Sequence, residues 1–191
     1  MIIGLTGTMG SGKGELSSYL QKKGFAYITI SDLIREELLK LNLPLKREEL
    51  QNLGNELRKK HGNDYWAKRA MEKIDLNKNW VIDGIRNLGE IEELKNIPNF
   101  FLIGIDAPES IRLIRTKRRK RIIDGRLSSD PNQLEEFKKL ELRDRGLSEP
   151  EYGQQVLKCI ENADYFLMND SSIENLHAEI EKILFNLKSI Q

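Results

Sequence analysis

The sequence predicts an α/β fold: three layers, α/β/α, around a five-stranded parallel sheet. Five short runs, Ile2–Thr6, Phe25–Ile30, Trp80–Ile82, Phe100–Ile105 and Tyr165–Met168, are apolar at consecutive positions, the pattern of strands covered on both faces. Helical periodicity separates them. Leu16, Tyr19 and Leu20 share a face, as do Leu50, Leu53 and Leu57, and a closing stripe runs through Ile173, Leu176, Ile180, Ile183, Leu184 and Leu187. Strand–helix alternation implies right-handed crossovers, and ligands of such sheets bind beyond the carboxyl ends of the strands. Two connections exceed what a crossover needs. Residues 31–78 have room for two or three helices, and residues 107–163 hold a basic helix, a loop around Gly125–Pro131 and more helix.

Composition narrows the possibilities. At 191 residues, 39% hydrophobic and 32% charged, the chain suits one water-soluble domain with a sizeable core. No apolar run approaches the roughly 20 residues of a membrane span. The first residues lack the basic and long apolar segments of a secretory signal. Cys159 is the single cysteine, so no intrachain disulfide forms, which fits a reducing, cytoplasmic setting. With only His61 and His177 beside it, no zinc cluster is available. The net charge of +1 gives the molecule no overall pull toward nucleic acid.

The first strand runs directly into Gly7-Thr8-Met9-Gly10-Ser11-Gly12-Lys13, which matches G-x-x-x-x-G-K and opens a helix. Glycines let the backbone curl into a nest whose N–H groups point at phosphate oxygens. The helix start adds the positive end of its dipole, and Lys13 adds a point charge for the β- and γ-phosphates. The competing reading is a glycine-rich turn with an incidental lysine; motif, preceding strand and following helix together favour the phosphate loop. One departure stands out. Gly14 and Glu15 follow the lysine where Ser or Thr would hold Mg²⁺, so the metal must rely on other ligands, water and the nucleotide. Glu15 helps the helix dipole but repels phosphate, so its side chain is expected to point away.

At Gly-Lys-Gly the loop resembles that of adenylate kinases and related nucleoside monophosphate kinases, where glycine also follows the lysine and threonine stands in place of Glu15. Gly4-Leu5-Thr6-Gly7 with Gly10-Ser11-Gly12-Lys13 also resembles dephospho-CoA kinases, in which serine follows the lysine. After the second strand, Ser31-Asp32-Leu33-Ile34-Arg35 resembles the D-x-x-R whose arginine grips the acceptor phosphate; Arg35 is the matching residue. A solvated Arg35 paired with Glu36 or Glu37 is the plainer alternative, and Ser31 and Asp32 then serve the helix N-terminus. Val81-Ile82-Asp83-Gly84-Ile85-Arg86 ends the third strand. Asp83 takes the strand-end carboxylate position that orients Mg²⁺ or its waters. The segment resembles D-G-F-P-R, one residue shorter, with Arg86 as a second acceptor clamp.

The fourth strand leads to Asp106-Ala107-Pro108 and a helix with Arg112, Arg115, Lys117, Arg118, Arg119, Lys120 and Arg121. Arg115 and Arg119 lie on one face and match the R-x-x-x-R at the lid hinge of adenylate kinases, where the pair meets the ATP base and phosphates. A solvated basic helix is the alternative. Arg126, Arg143 and Arg145 are further lid arginines, and Arg143 is included among the acceptor-side residues. Asn169, after Ala163-Asp164-Tyr165-Phe166-Leu167-Met168, occupies the segment that lies beside the ATP base in these kinases; capping of the last helix by Asn169, Asp170 or Ser171 competes with that role.

The resemblance implies one kinase domain over residues 1–191. Its core covers 1–30, 76–114 and 146–191, an acceptor-binding insert covers 31–75 and a lid covers 115–145. The expected activity is transfer of the γ-phosphoryl group of ATP, with Mg²⁺, to a nucleoside or deoxynucleoside monophosphate. A dephospho-CoA kinase with Asp32 as base is the alternative acceptor chemistry. A nucleotide-binding regulator or RNA-associated ATPase using the basic run 112–121 is the alternative class, opposed by the absence of interleaved aromatics. The expected partners are ATP and a small phosphorylated acceptor, without nucleic acid or membrane; the sequence leaves the oligomeric state open, a monomer included.

Overall fold

The computed structural model describes residues 1–124, 131–147 and 149–189, and within them the side chains of all but 119–124, 131–134 and 136. The first half holds β1 (Ile2–Gly7), α1 (Lys13–Lys22), β2 (Ala26–Thr29), α2 (Ile30–Lys40), α3 (Arg47–His61) and α4 (Tyr65–Met71). Next come β3 (Trp80–Asp83), α5 (Leu88–Leu94), β4 (Phe100–Asp106) and α6 (Glu109–Asp124). The chain closes with α7 (Pro131–Arg145), α8 (Val156–Glu161), β5 (Tyr165–Met168) and α9 (Ile173–Ser189). The five strands are parallel in the order β2-β3-β1-β4-β5. Two strands flanking β1 from distant parts of the sequence make its carboxyl end the place where crossovers diverge, the edge at which ligands of such sheets bind.

Side-chain alternation divides the core into two layers. Ile3 and Leu5 of β1, Val81 of β3 and Ile103 and Ile105 of β4 pack under Leu16 and Leu20 of α1 and the α9 stripe. Ile2, Ile82 and Leu102 face the opposite way, onto α2, α3, α4, α5 and Cys159 of α8. Continuous apolar runs are required of β1, β3 and β4, which have helices on both sides. The edge strand β5 departs from that expectation: Phe166 and Met168 are exposed, and Leu167 alone is fully buried. Of the six-residue stripe on α9, Ile173 is exposed at the first turn and the other five are buried.

The insert between β2 and β3 is tied to the core by charge as well as packing. Trp66 is fully buried and donates its indole N–H to the Gly54 carbonyl at 3.1 Å, joining α4 to α3. Arg58 of α3 reaches Glu90 of α5, with Nε to Oε1 at 2.8 Å and Nη2 to Oε1 at 2.7 Å. Both side chains are at most 1% exposed. Glu90 also closes the start of α5: its Oε2 accepts from the backbone N–H of Arg86 at 2.7 Å and of Asn87 at 3.1 Å, while Asn87 accepts from Gly89. One carboxylate therefore orients the strand end that carries Arg86 and anchors the insert.

Removing one partner of a buried ion pair strands the other charge, which typically costs about 3–5 kcal/mol. Glu90→Ala is expected to lose stability on that scale in urea unfolding. The double change Arg58→Met with Glu90→Leu should lose clearly less, since no charge is left unpaired; equal losses would assign the effect to packing alone.

Candidate functional site

The loop between β1 and α1 turns on two glycines with positive φ. Gly10 has φ 80°, and a Cβ there would sit 2.6 Å from the Arg112 carbonyl oxygen. Gly12 has φ 112°, and a Cβ there would overlap the Asn169 amide. Only glycine meets both demands, conformational and steric. At the start of α1 the Glu15 and Leu16 N–H groups bond Gly12 O at 3.0 and 3.1 Å, which leaves those of Lys13 and Gly14 as the orphan donors of a helix N-terminus.

The loop's carbonyls, in contrast, are taken by side-chain donors. Lys13 Nζ donates to the Gly7 carbonyl and, at 2.9 Å, to that of Thr8. Asn169 Nδ2 donates to Ser11 O at 2.8 Å, and Arg115 Nη1 donates to the same oxygen at 3.3 Å and to Asn169 O at 3.2 Å. Arg115 Nη2 also reaches Asn169 Oδ1 at 3.2 Å. Arg112 is buried, donates to Ala107 O at 2.8 Å and Met9 O at 3.4 Å, and pairs with Asp106 and Glu141. Thr8 donates its hydroxyl to Asp106. The Ser11 hydroxyl is buried without a partner, which fits an oxygen-rich ligand above the loop.

Asp83 lies at the end of β3. Its Oδ2 accepts from Ser17 at 3.4 Å and Tyr27 at 3.2 Å, while its buried Oδ1 has no partner. That free oxygen suits a metal-bound water. Burial, and then the Asp83 charge, push the Tyr27 phenol well above its ordinary range, so Tyr27 stays a donor. Burial also lowers the Lys13 ammonium to about 8; the Arg86 charge adds to the drop, while Asp83 and Asp144 oppose it. The P-loop lysine thus senses charges from β3, α3 and α7 together.

The remaining nominated residues divide into those drawn to this edge and those drawn elsewhere. Arg86 is buried and donates to Asp144 and, at 3.4 Å, to Gln154 Oε1. Ser31 packs beside Gly84, but the cap of α2 is Thr29, whose hydroxyl accepts from Ser31 N at 3.2 Å. Arg35 is exposed and pairs at 2.5 Å with Asp32, one turn back, rather than with Glu36 or Glu37. Arg143 turns to Glu149 at 3.0 Å and Asn52 at 2.9 Å, because α3 lies against that face of α7. Arg145 lies 3.7 Å from Glu141. Glu15 does point away, to His177 at 3.0 Å, and His177 stacks on Tyr19 with centroids 3.9 Å apart. Gly14 is exposed with open space around it. Asn169 is buried against the loop; Ser172 accepts from Asn175 N at 3.3 Å and so caps α9 instead. The side chain of Arg119, and Arg126 with the loop 125–130, lie outside the described residues.

Several participants carry no local sequence signal. Arg112 reads as one more member of a basic run, Asp144 as the middle of Arg143-Asp144-Arg145, and Arg47 as an ordinary helix-start charge. Each gains its place through contacts with residues far away in the chain.

A family model described as an AAA domain matches residues 3–135. A UPF0200 protein of Sulfurisphaera tokodaii is 35% identical over 183 residues, covering 96% of this chain and 95% of its own. Another, from Thermococcus kodakarensis, is 31% identical over 191 residues, covering 96% of each. Among solved structures, TT1252 from Thermus thermophilus superposes with a TM-score of 0.57 at 22% identity, covering 98% of this chain and 97% of its own. Shikimate kinase from Acinetobacter baumannii in complex with shikimate gives 0.55 at 17% identity, covering 97% and 93%. These likenesses show the fold, that of P-loop kinases. Among the described residues no helix is long and apolar enough to cross a membrane.

The lowered Lys13 titration has a measurable sign. In the unfolded chain the group titrates near 10.5, so between about pH 8 and 10.5 the unfolded state binds more protons and stability rises with pH. Relative to Lys13→Met, which removes the titrating group, the folded protein should gain stability on the order of 3 kcal/mol across that window. Urea unfolding of both proteins at several pH values reads the difference; parallel curves would contradict it.

Proposed function

The chain belongs to the UPF0200 proteins and to the AAA domain family, and we propose that it is an ATP-dependent phosphotransferase acting on a nucleoside monophosphate. The observation that carries this reading is the pairing of β1 with β3, and of Gly84 N and Ile85 N with Leu5 O at 3.1 Å, which sets the segment leading to Arg86 beside the strand that runs into the phosphate loop. A kinase needs both the loop and that arginine, one for each of the anions it must bring together.

In the proposed reaction the loop's N–H groups and Lys13 hold the β- and γ-phosphates, and Ser11 offers its unpartnered hydroxyl. A phosphate oxygen of the acceptor forms a bond to the γ-phosphorus as the bond to the β,γ-bridging oxygen breaks, and ADP leaves. No general base is required, because the acceptor phosphate is already anionic at neutral pH. Mg²⁺, when bound, neutralises charge on the β- and γ-phosphates; Asp83 would hold its water through Oδ1. Arg115, on the Ser11 carbonyl, fixes the loop from the lid side, and Arg119 is its proposed companion. Arg86 is the acceptor-side cation, with Ser31, Asp32, Arg35 and Arg143 as the other members nominated from the sequence.

A hydroxyl acceptor is the second reading. Shikimate kinase, one of the structural neighbours, carries the name of such a substrate, and a hydroxyl needs a base. Asp32 is largely exposed and engaged by Arg35, which leaves Asp83 Oδ1 as the available oxygen.

ADP release from ATP, measured across nucleoside and deoxynucleoside monophosphates, dephospho-CoA and shikimate, separates the two; transfer to none of them would remove the kinase reading. Lys13→Ala should lower turnover by roughly 10²–10³-fold or more while the fold persists; activity within a few-fold of the parent would end its assigned role. Arg86→Ala should raise the acceptor KM by at least about tenfold with the ATP KM nearly constant. A selective loss of ATP binding would be the opposite result.

A further inference from the structure

One cluster beside the phosphate loop joins buried charges to unsatisfied polar atoms. Arg47, at the start of α3, donates Nη2 to Asp144 Oδ1 at 2.6 Å, and Arg86 donates Nη1 to the same oxygen. The Asp144 side chain is 1% exposed, yet its Oδ2 has no partner. The Arg47 Nε is likewise buried and unpaired. Burial alone would raise the Asp144 carboxyl, but Arg86, Arg47 and Lys13 outweigh it and hold it below its ordinary value. The Arg47 side chain is 27% exposed and forms the cluster's opening to solvent.

Two planar guanidiniums from separate elements, aimed at one point, present more donors than a carboxylate can use. The orphaned Nε is a donor left over, and the orphaned Oδ2 shows that the carboxylate meets both arginines through one oxygen only. A tetrahedral oxyanion, with more acceptor oxygens and more charge, matches the donors better. Arg35, which the D-x-x-R pattern selects, is instead exposed and paired to Asp32. Contacts on the same face of α3 hold α7 and the segment after it around the cluster: Gln51 to Leu140 O of α7 at 3.1 Å, and Asn55 to Glu149, beyond the end of α7, at 2.5 Å. Residues 47, 51 and 55 recur every four positions, so one helix face carries both the arginine and the contacts that present Asp144 to it.

We propose that Arg47 and Arg86 form an oxyanion site, that Asp144 is its built-in occupant, and that the anionic group of the acceptor displaces this carboxylate. The proposal rests on the phosphotransferase reading for the identity of the acceptor, and it supplies what that reading lacks: the second arginine of the acceptor clamp. It also makes Asp144 a specificity element. A neutral acceptor, or one with a single weak acceptor oxygen, cannot outcompete a carboxylate already held by two guanidiniums.

The test is anion binding rather than turnover. Thermal unfolding of the full chain is followed with and without orthophosphate at matched ionic strength. Asp144→Ala, which vacates the site, should gain about 5 °C more from saturating phosphate than the parent does. Adding Arg47→Gln should remove the excess. Phosphate entering the P-loop acts in all three proteins and cancels in the comparison. Equal gains in parent and Asp144→Ala, or an excess that survives Arg47→Gln, overturn the proposal. Should the alanine variant not fold, Asp144→Asn, which keeps the volume and removes the charge, is read in the same way. A chain that binds phosphate here and transfers none to any acceptor refutes the kinase reading and leaves the anion site standing.

Discussion

A phosphate-binding loop must keep its N–H groups unsatisfied by protein while holding a sharply curved backbone, and the rest of this structure is arranged around that constraint. Curvature has to be enforced from somewhere, and here it is enforced through the loop's carbonyls. Arg115 and Asn169 take Ser11 O, Arg112 takes Met9 O, and Lys13 takes those of Gly7 and Thr8. Side-chain donors on carbonyls fix the loop from outside; within it, Ser11 N bonds Thr8 O at 3.3 Å. The braces come from α6 and from the end of β5, which explains why these elements sit where they do: β5 pairs with β4 so that Asn169 emerges beneath Gly12. The glycine at 12 is then required twice, by its φ and by the side chain that props it.

Charge around this loop is dense and almost fully compensated. Arg86 meets Asp144, Arg112 meets Glu141 and Asp106, Arg58 meets Glu90 and Arg143 meets Glu149. The near-equal totals of 31 basic and 30 acidic residues supply the partners for such pairing. The pairing also means that the site does not wait as a bare positive pocket, which would be costly to bury. In the proposed reaction an incoming anion acts by exchange, taking donors that a carboxylate or a carbonyl now holds. Lys13 illustrates the carbonyl case. Its ammonium rests on two backbone oxygens that a phosphate outbids through full charge rather than partial charge.

The architecture was legible in the sequence because it is written in local patterns. Each strand lies within one residue or so of its apolar run, and the phosphate loop follows from spacing alone. The edges read less well: Phe166 and Met168 look like core residues in the sequence, yet an edge strand has helix on one side only near its end. Site residues separated along the same line. Gly7 to Lys13, Asp83 and Arg86 sit at strand ends, where position follows from topology. Asp144, Arg47 and Arg112 sit in helices whose orientation depends on packing between distant segments, so the sequence offered no way to tell a strut from a solvated charge. Arg35 shows the converse: it matches the D-x-x-R pattern, yet its partner in the structure is Asp32 one turn back, since a pattern on a helix does not specify what the side chain meets.

The missing hydroxyl after the lysine can be understood in the same terms. Nothing crowds Gly14, so the lack of a side chain there is not imposed by packing. Three residues on, Ser17 bonds its own turn at Lys13 O and leans on Asp83 Oδ2, as Tyr27 does from β2. Together they saturate one carboxylate oxygen with neutral donors and orient the other, Oδ1, with no competitor. A carboxylate fixed in this way has a single direction in which to accept, which is the geometric service that the absent Ser or Thr performs elsewhere. In the proposed reaction, metal positioning thus passes from the helix that follows the loop to the strand beside it. Because Arg86 follows Asp83 by three residues, just beyond the end of β3, the proposed metal-orienting group and the proposed acceptor clamp are held by one short segment.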